Sequence, residues 1–292
     1  DYMPLEKINS VIEDGKRHGS YFTGILGGEP LMHPDLMEIF RKHQDCYFQL
    51  FTNGTMLTRS VASELRKNGN VTPLISLEGD ELVADIRRGG NNIYNRTIEA
   101  IRTAVSEKLI TGVAISVCKS NIDMALSDEF VNRLHDMGVL YLWYYIYRPA
   151  GSKPNYELAL DGGEILRLRR FLVEGRTRFP MVLIDSYWSA KGEPFCPAAD
   201  GLSHHINAAG YVEPCPVLQI AADNINPDNT NTPDNTNAIK NTNTSANTNT
   251  AANINVATTN TNVVINTNTN ISSNTNTNAN SATCTDTDGG IN

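Results

Sequence analysis

The sequence predicts an α/β fold built on a parallel sheet, and three observations carry that prediction. Short apolar runs alternate with amphipathic stretches of helical period. The apolar runs are continuous rather than alternating, which is how strands covered on both faces read. Residues 1–222 also have ordinary globular composition, enough for one domain with a sizeable core.

The elements follow in order. Residues 5–18 have helical spacing, with Leu5, Ile8, Val11 and Ile12 on one face. YFTGIL at 21–26 is a short strand. Residues 33–43 form a helix with Pro34 and Asp35 in its first turn. CYFQLF at 46–51 is a strand, and 59–69 a helix closing on Gly69. PLISL at 73–77 is a strand, 92–108 a long amphipathic helix, and GVAISVC at 112–118 a strand. A helix at 128–138, the strand YLWYYIY at 141–147, a helix at 164–178 and the strand MVLID at 181–185 complete the series. Such alternation implies right-handed crossovers and a parallel sheet. Two architectures satisfy it, an open doubly wound sheet or a full or partial (β/α) barrel. Both place a ligand at the C-terminal ends of the strands. Those ends carry Gly27-Gly28-Glu29-Pro30, Thr52-Asn53-Gly54, Glu78-Gly79-Asp80, Lys119-Ser120-Asn121 and Arg148-Pro149-Ala150-Gly151. Five polar or glycine-rich strand ends on one rim point to a shared ligand pocket.

Composition narrows the function classes. The formal net charge of −8 gives no electrostatic case for nucleic-acid binding. No apolar run is long enough to span a membrane, and no signal peptide stands at the front. The cysteines at 46, 118, 196, 215 and 284 are sparse, which disfavours a disulfide framework and favours the cytoplasm. Residues 224–292 are Asn- and Thr-rich, with no aromatic residue and a lone Lys240. Such a segment buries too little apolar surface to order itself and is expected to be disordered, with some tendency to β-type association. The chain opens on Asp1 and enters a helical pattern almost at once, so an upstream segment is expected.

GGEP at 27–30, TNG at 52–54 and SLEG followed by DIRRGG at 76–90 resemble, in this order, the radical S-adenosylmethionine (SAM) enzymes. The nearest likeness is to the branch carrying auxiliary iron–sulfur clusters on a C-terminal extension, the SPASM and twitch type, and it spans 5–220. The resemblance implies a partial (β/α)6 barrel over 1–190, the start of an auxiliary-cluster β-hairpin over 191–222, and a low-complexity tail over 223–292. It implies that Gly27, Gly28 and Glu29, with Pro30, receive the ammonium of SAM. An ammonium needs acceptors, and bare glycine lets backbone carbonyls approach closely. Ser76 and Glu78 would reach the ribose and carboxylate, although most relatives have Asp where Glu78 stands. Thr52 and Asn53 would shape the pocket floor, and Lys119 and Arg88 are the cations on hand for the SAM carboxylate.

The family binds its [4Fe–4S] cluster on a Cys-x3-Cys-x2-Cys loop that this sequence lacks. That loop and the strand before it are expected upstream, and the chain by itself is not expected to run radical chemistry. Toward the C-terminus, Cys196-x13-Gly210-x4-Cys215 is similar to the opening half of the auxiliary-cluster motif. INAAGYVEPC fits a hairpin around Ala209-Gly210. A Cys/His zinc site using His204 or His205 is an alternative there. The function implied is reductive cleavage of SAM and hydrogen abstraction from a peptide or small molecule. The electron would come from a flavodoxin- or ferredoxin-like donor, and alternate aromatics of 141–147 would line the substrate pocket. A non-catalytic, cluster-less SAM- or peptide-binding relative is the alternative. A plain α/β domain with chance turns is the third reading.

Overall fold

Six parallel strands follow one another in both sequence and space. They are β1 (Phe22–Gly27), β2 (Tyr47–Thr52), β3 (Val71–Ser76), β4 (Gly112–Val117), β5 (Tyr141–Ile146) and β6 (Val182–Ile184), paired strictly in that order. The structure is a computed structural model that describes residues 2–88, 90–150, 154–185, 187–189, 192–199, 203–217, 223–224 and 261–266. The helices between the strands are α1 (Leu5–Arg17), α2 (Leu36–Lys42), α3 (Arg59–Asn68), α4 (Glu81–Arg88), α5 (Ile93–Ser106), α6 (Ile122–Ala125), α7 (Asp128–Asp136) and α8 (Gly162–Arg178).

The sequential strand order decides between the two architectures. Every crossover steps the same way, so right-handed connections leave all the helices on one face of the sheet. The core divides accordingly. Phe48, Leu50, Ile75, Val113, Ile115, Leu142 and Tyr144 pack with helix residues such as Ile39, Leu65, Ile101 and Phe130. Leu74, Ala114 and Tyr141 form a separate cluster on the other face with Phe51, Trp143 and Tyr145. A doubly wound sheet would have helices over that second face. The fold is a partial (β/α)6 barrel, left open.

Several boundaries differ from the sequence reading. The helix expected at 33–43 begins at Leu36, because the Pro34 ring holds His33 extended (φ −70°, ψ 123°) and a separate 3-10 turn, Pro30–Met32, precedes it. The short α4 and α6 were not anticipated. Gly69 closes α3 in the left-handed conformation, as expected.

The hairpin is present as β7 (His205–Ile206) and β8 (Tyr211–Glu213), antiparallel. The tail expected to be disordered contributes β9 (Asp223–Asn224), paired with β8, and β10 (Thr261–Asn266), antiparallel to β1. These short pairings have a local cause. Val263, Val264 and Ile265 are β-branched in an otherwise polar tail, and the outer edge of β1 offers unpaired backbone groups. Cys284 and the rest of the tail lie outside the described residues.

Candidate functional site

The site is assembled where β1, β2 and β3 end. β1 runs out at Gly27, whose φ of +145° suits glycine. Glu29 follows, buried at 5 % exposure, and caps the 3-10 turn by accepting from the Leu31 N–H at 3.2 Å. Its carboxylate also ties β1 to β2. Oε1 accepts from Thr52 Oγ1 at 2.7 Å and Oε2 from the Asn53 N–H at 2.8 Å. Burial pushes the Glu29 pKa up from the ordinary carboxylate range; the donors of Thr52, Asn53 and Leu31, and the charge of Arg88, pull it back.

The TNG turn is built around that carboxylate. Thr52 Oγ1 accepts from the Gly54 N–H, and Asn53 Oδ1 takes both the N–H and the hydroxyl of Thr55. Gly54 has φ +79°, and a Cβ there would come within 2.8 Å of Ala100 Cβ. The turn therefore needs glycine for both conformation and space.

Beside this clamp lies a cavity of about 200 Å³, lined by Asn53, Thr55, Ser76, Glu78, Arg88 and Thr97 among others. Glu78 pairs with two arginines of α4, Arg88 at 2.6 Å and Arg87 at 2.8 Å. Arg87 also donates to the Ser116 carbonyl at 2.8 Å. Asn121 stitches β3 to β4 by donating to the carbonyls of Glu78 and Ser116.

The structure thus brings Asn53, Ser76, Glu78 and Arg88 around one cavity, with Glu29 and Thr52 joined to it through Asn53. Gly27 and Gly28 stand exposed on the rim next to Glu29, and Pro30 is buried as the first residue of the 3-10 turn. Lys119 is exposed and lies away from the cavity lining; its N–H bonds the Leu158 carbonyl. Of the two candidate cations, only Arg88 faces the cavity.

Sequence reasoning gave Asp85, Arg87 and Asn121 no role of their own beyond their place in DIRRGG and in the strand end at 119–121. Asp85 accepts from the N–H groups of Asn92, Ile93 and Tyr94 and so caps the start of α5, whose Ile93 and Thr97 line the cavity. Its signal was an acid seven residues ahead of a helix start, inside DIRRGG.

The thiols are scattered. Cys196 is exposed and Cys215 half-buried, both free. Cys46 and Cys118 are buried next to β2 and β4, and burial pushes the Cys46 thiol up to about 11. In the hairpin, His205 Nδ1 meets Glu213 Oε2 at 2.6 Å, and Asn207 donates to Oε1 at 2.7 Å. Among the described residues, no three His, Cys, Asp or Glu side chains gather in a way that could hold a metal ion. No helix among them is long and apolar enough to cross a membrane.

Residues 1–142 match the family model described as the radical SAM superfamily. Among curated proteins, the Fe-coproporphyrin III synthase of Methanosarcina barkeri is 25% identical over 54% of this chain and 41% of its own length. The PqqA peptide cyclase of Streptomyces rochei is 23% identical over 73% of this chain and 61% of its own. Among solved structures, Streptococcus suis SuiB superposes with TM-score 0.62 at 16% identity, over 76% of this chain and 56% of SuiB. SuiB has also been solved bound to S-adenosylmethionine (TM-score 0.60) and to its precursor peptide SuiA (TM-score 0.59). The structural likeness is one of fold. The chain spans roughly half the length of these relatives.

Proposed function

We propose, from the premise that this chain belongs through residues 1–142 to the radical SAM superfamily, that it binds SAM at the strand-end cavity as part of an enzyme acting on a peptide. The observation that carries the reading is the joining of the Glu29 clamp to the cavity walled by Asn53, Ser76 and Arg88. SAM is an amino acid joined to a nucleoside, so it needs an anionic corner, a cation and hydroxyl partners close together. Glu29 beside Gly27 and Gly28 suits the ammonium, Arg88 the carboxylate, and Ser76 and Asn53 the ribose. Thr52 and Pro30 hold Glu29 in place, while Lys119 is left to the outer rim.

SAM supplies the family's radical chemistry only together with a [4Fe–4S] cluster. The described residues do not fit that cluster: they gather no metal-holding group, and Cys46 and Cys118 are buried apart. What this chain's own residues do is hold and orient SAM. Cys196 and Cys215, both free and neither buried, are on this reading two ligands of an auxiliary iron–sulfur cluster.

A peptide substrate is favoured by two similar proteins, a PqqA peptide cyclase and SuiB with its precursor peptide. The open inner face, with Phe51, Trp143 and Tyr145, would receive it. A cytoplasmic setting and a reducing partner of the flavodoxin or ferredoxin kind belong to the same reading. Titration calorimetry of the full chain with SAM tests it. Saturable binding at one site is expected, weakened about three- to tenfold by Ser76→Ala, the cost of one hydrogen bond. No saturable heat with SAM overturns the reading.

A further inference from the structure

We infer that Glu78 is a positioning residue, not a ligand contact: it fixes the Arg88 guanidinium in the cavity wall and so makes the site select for a ligand carrying a carboxylate. The inference rests on the SAM reading above and assigns the source of its selectivity.

Glu78 is itself immobilised. Its carbonyl accepts from Asn121 Nδ2 at 2.9 Å, and Asn121 is held in turn by the Ser116 carbonyl and the Cys118 N–H. Its side chain is only 13% exposed, and each oxygen lies within ion-pair distance of a guanidinium. Oε1 lies 2.6 Å from Arg88 Nη2 and Oε2 2.8 Å from Arg87 Nη1. Only the Arg88 contact has hydrogen-bond geometry, and Oε2 makes no hydrogen bond among the described residues, so the carboxylate acts on the arginines chiefly through its charge.

The two arginines are not equivalent. Arg87 is anchored on several sides, by Glu78, by the Ser116 carbonyl at 2.8 Å, and by the Tyr147 ring 5.9 Å beneath its guanidinium. Arg88 is more exposed and lines the cavity. A guanidinium has five N–H donors, and the Glu78 bond engages Nη2 alone. Two guanidinium charges share one carboxylate, which leaves one positive charge in excess at the wall. On the other side, Arg88 is near enough to Glu29 to act on its carboxyl group. Arg88 thus stands in the cavity wall, and Glu29 behind it is joined to the same wall through Asn53, opposite charges on either side of a site that suits an amino-acid zwitterion.

Holding a long arginine side chain ready matters because ordering it on binding costs rotamer entropy. Glu78 meets that cost before the ligand arrives, which is how preorganisation raises affinity. Without its anion, Arg88 and Arg87 repel each other and Arg88 loses its fixed direction.

The experiment compares two ligands on the full chain by calorimetry: SAM, and decarboxylated SAM, which has the same nucleoside and ammonium but no carboxylate. The wild-type chain is expected to prefer SAM by about tenfold or more, as a charge-assisted pair implies. Glu78→Gln is expected to reduce that preference to about threefold or less while barely changing affinity for the decarboxylated ligand. Glu78→Asp, which keeps the charge, is expected to restore part of the preference. A Glu78→Gln variant that loses both ligands alike, as a ribose contact or a damaged fold would, overturns the inference. So does one that keeps the preference intact. A wild-type chain that binds both ligands equally overturns this inference and leaves SAM binding standing. One that binds neither overturns both.

Discussion

Cys46 shows how a single side chain's surroundings set its chemistry. Its thiol sits just ahead of β2, near Lys16 and Asp45, and is 2% exposed. Burial is the largest influence and pushes its pKa up to about 11, against the smaller opposing pull of Lys16. An acid raised in this way keeps its proton at any pH below the shifted value, and a thiol that keeps its proton is a poor nucleophile. Among the four described cysteines, iodoacetamide at pH 8 on the folded chain is therefore expected to modify Cys196 first, Cys215 more slowly, and Cys46 and Cys118 only after denaturation. Peptide mass spectrometry reads the order, and labelling of Cys46 as fast as Cys196 would contradict the packing described. The burial of these two cysteines was legible in the sequence, since both adjoin apolar strand runs. The partners of Glu29 were not. An acid beside two glycines announced a polar corner, but Thr52 and Asn53 reach it only because β1 and β2 pair in parallel, and that register is a tertiary fact.

The same division holds for whole elements. Long periodic helices and continuous apolar strands were legible, while element starts depended on single residues whose effect is structural. Helix α8 begins at Gly162, ahead of the expected 164, because Asp161 caps it. Its side chain accepts from the Glu164 N–H at 2.9 Å, and Glu164 returns the bond to the Asp161 N–H at 2.8 Å. Two glycines at the helix start hid this reciprocal cap from propensity alone. Asp161→Ala removes an acceptor from an exposed helix end and is expected to cost about 1 kcal/mol of stability. Chemical denaturation checks it, and a shift indistinguishable from zero would show that the cap contributes nothing. Strand β5 was legible as a strand but not as a floor. Its Tyr141 ring lies across Gly112 of the neighbouring strand, where a Cβ would fall inside the ring, and its hydroxyl meets Thr72 at 3.2 Å. Nothing in GVAISVC announces that a ring will cross it.

At the scale of the molecule, alternation predicted a parallel sheet but not its order, because doubly wound and barrel-type sheets share the same string of elements. The order β1 to β6 without a reversal settled that, and with it the open inner face. The order also leaves β1 at the edge of the parallel set, where β10 lies against it in antiparallel register with Val264 opposite Gly24. Composition averaged over the Asn/Thr tail conceals these six residues, since only the run Val263-Val264-Ile265 has strong strand character. The pairing has a direct consequence for backbone protection. A proline in the middle of a ladder removes an N–H donor and is tolerated mainly at edges and bulges. Val264→Pro in the full chain is therefore expected to detach β10 and speed hydrogen exchange of the β1 amides. Amides of β2 to β5 keep their partners and should retain wild-type protection. Unchanged protection of β1 would mean that β10 does not shield that edge. Faster exchange throughout the sheet would mean that β10 supports the entire fold, because β1 could then no longer hold its place against β2.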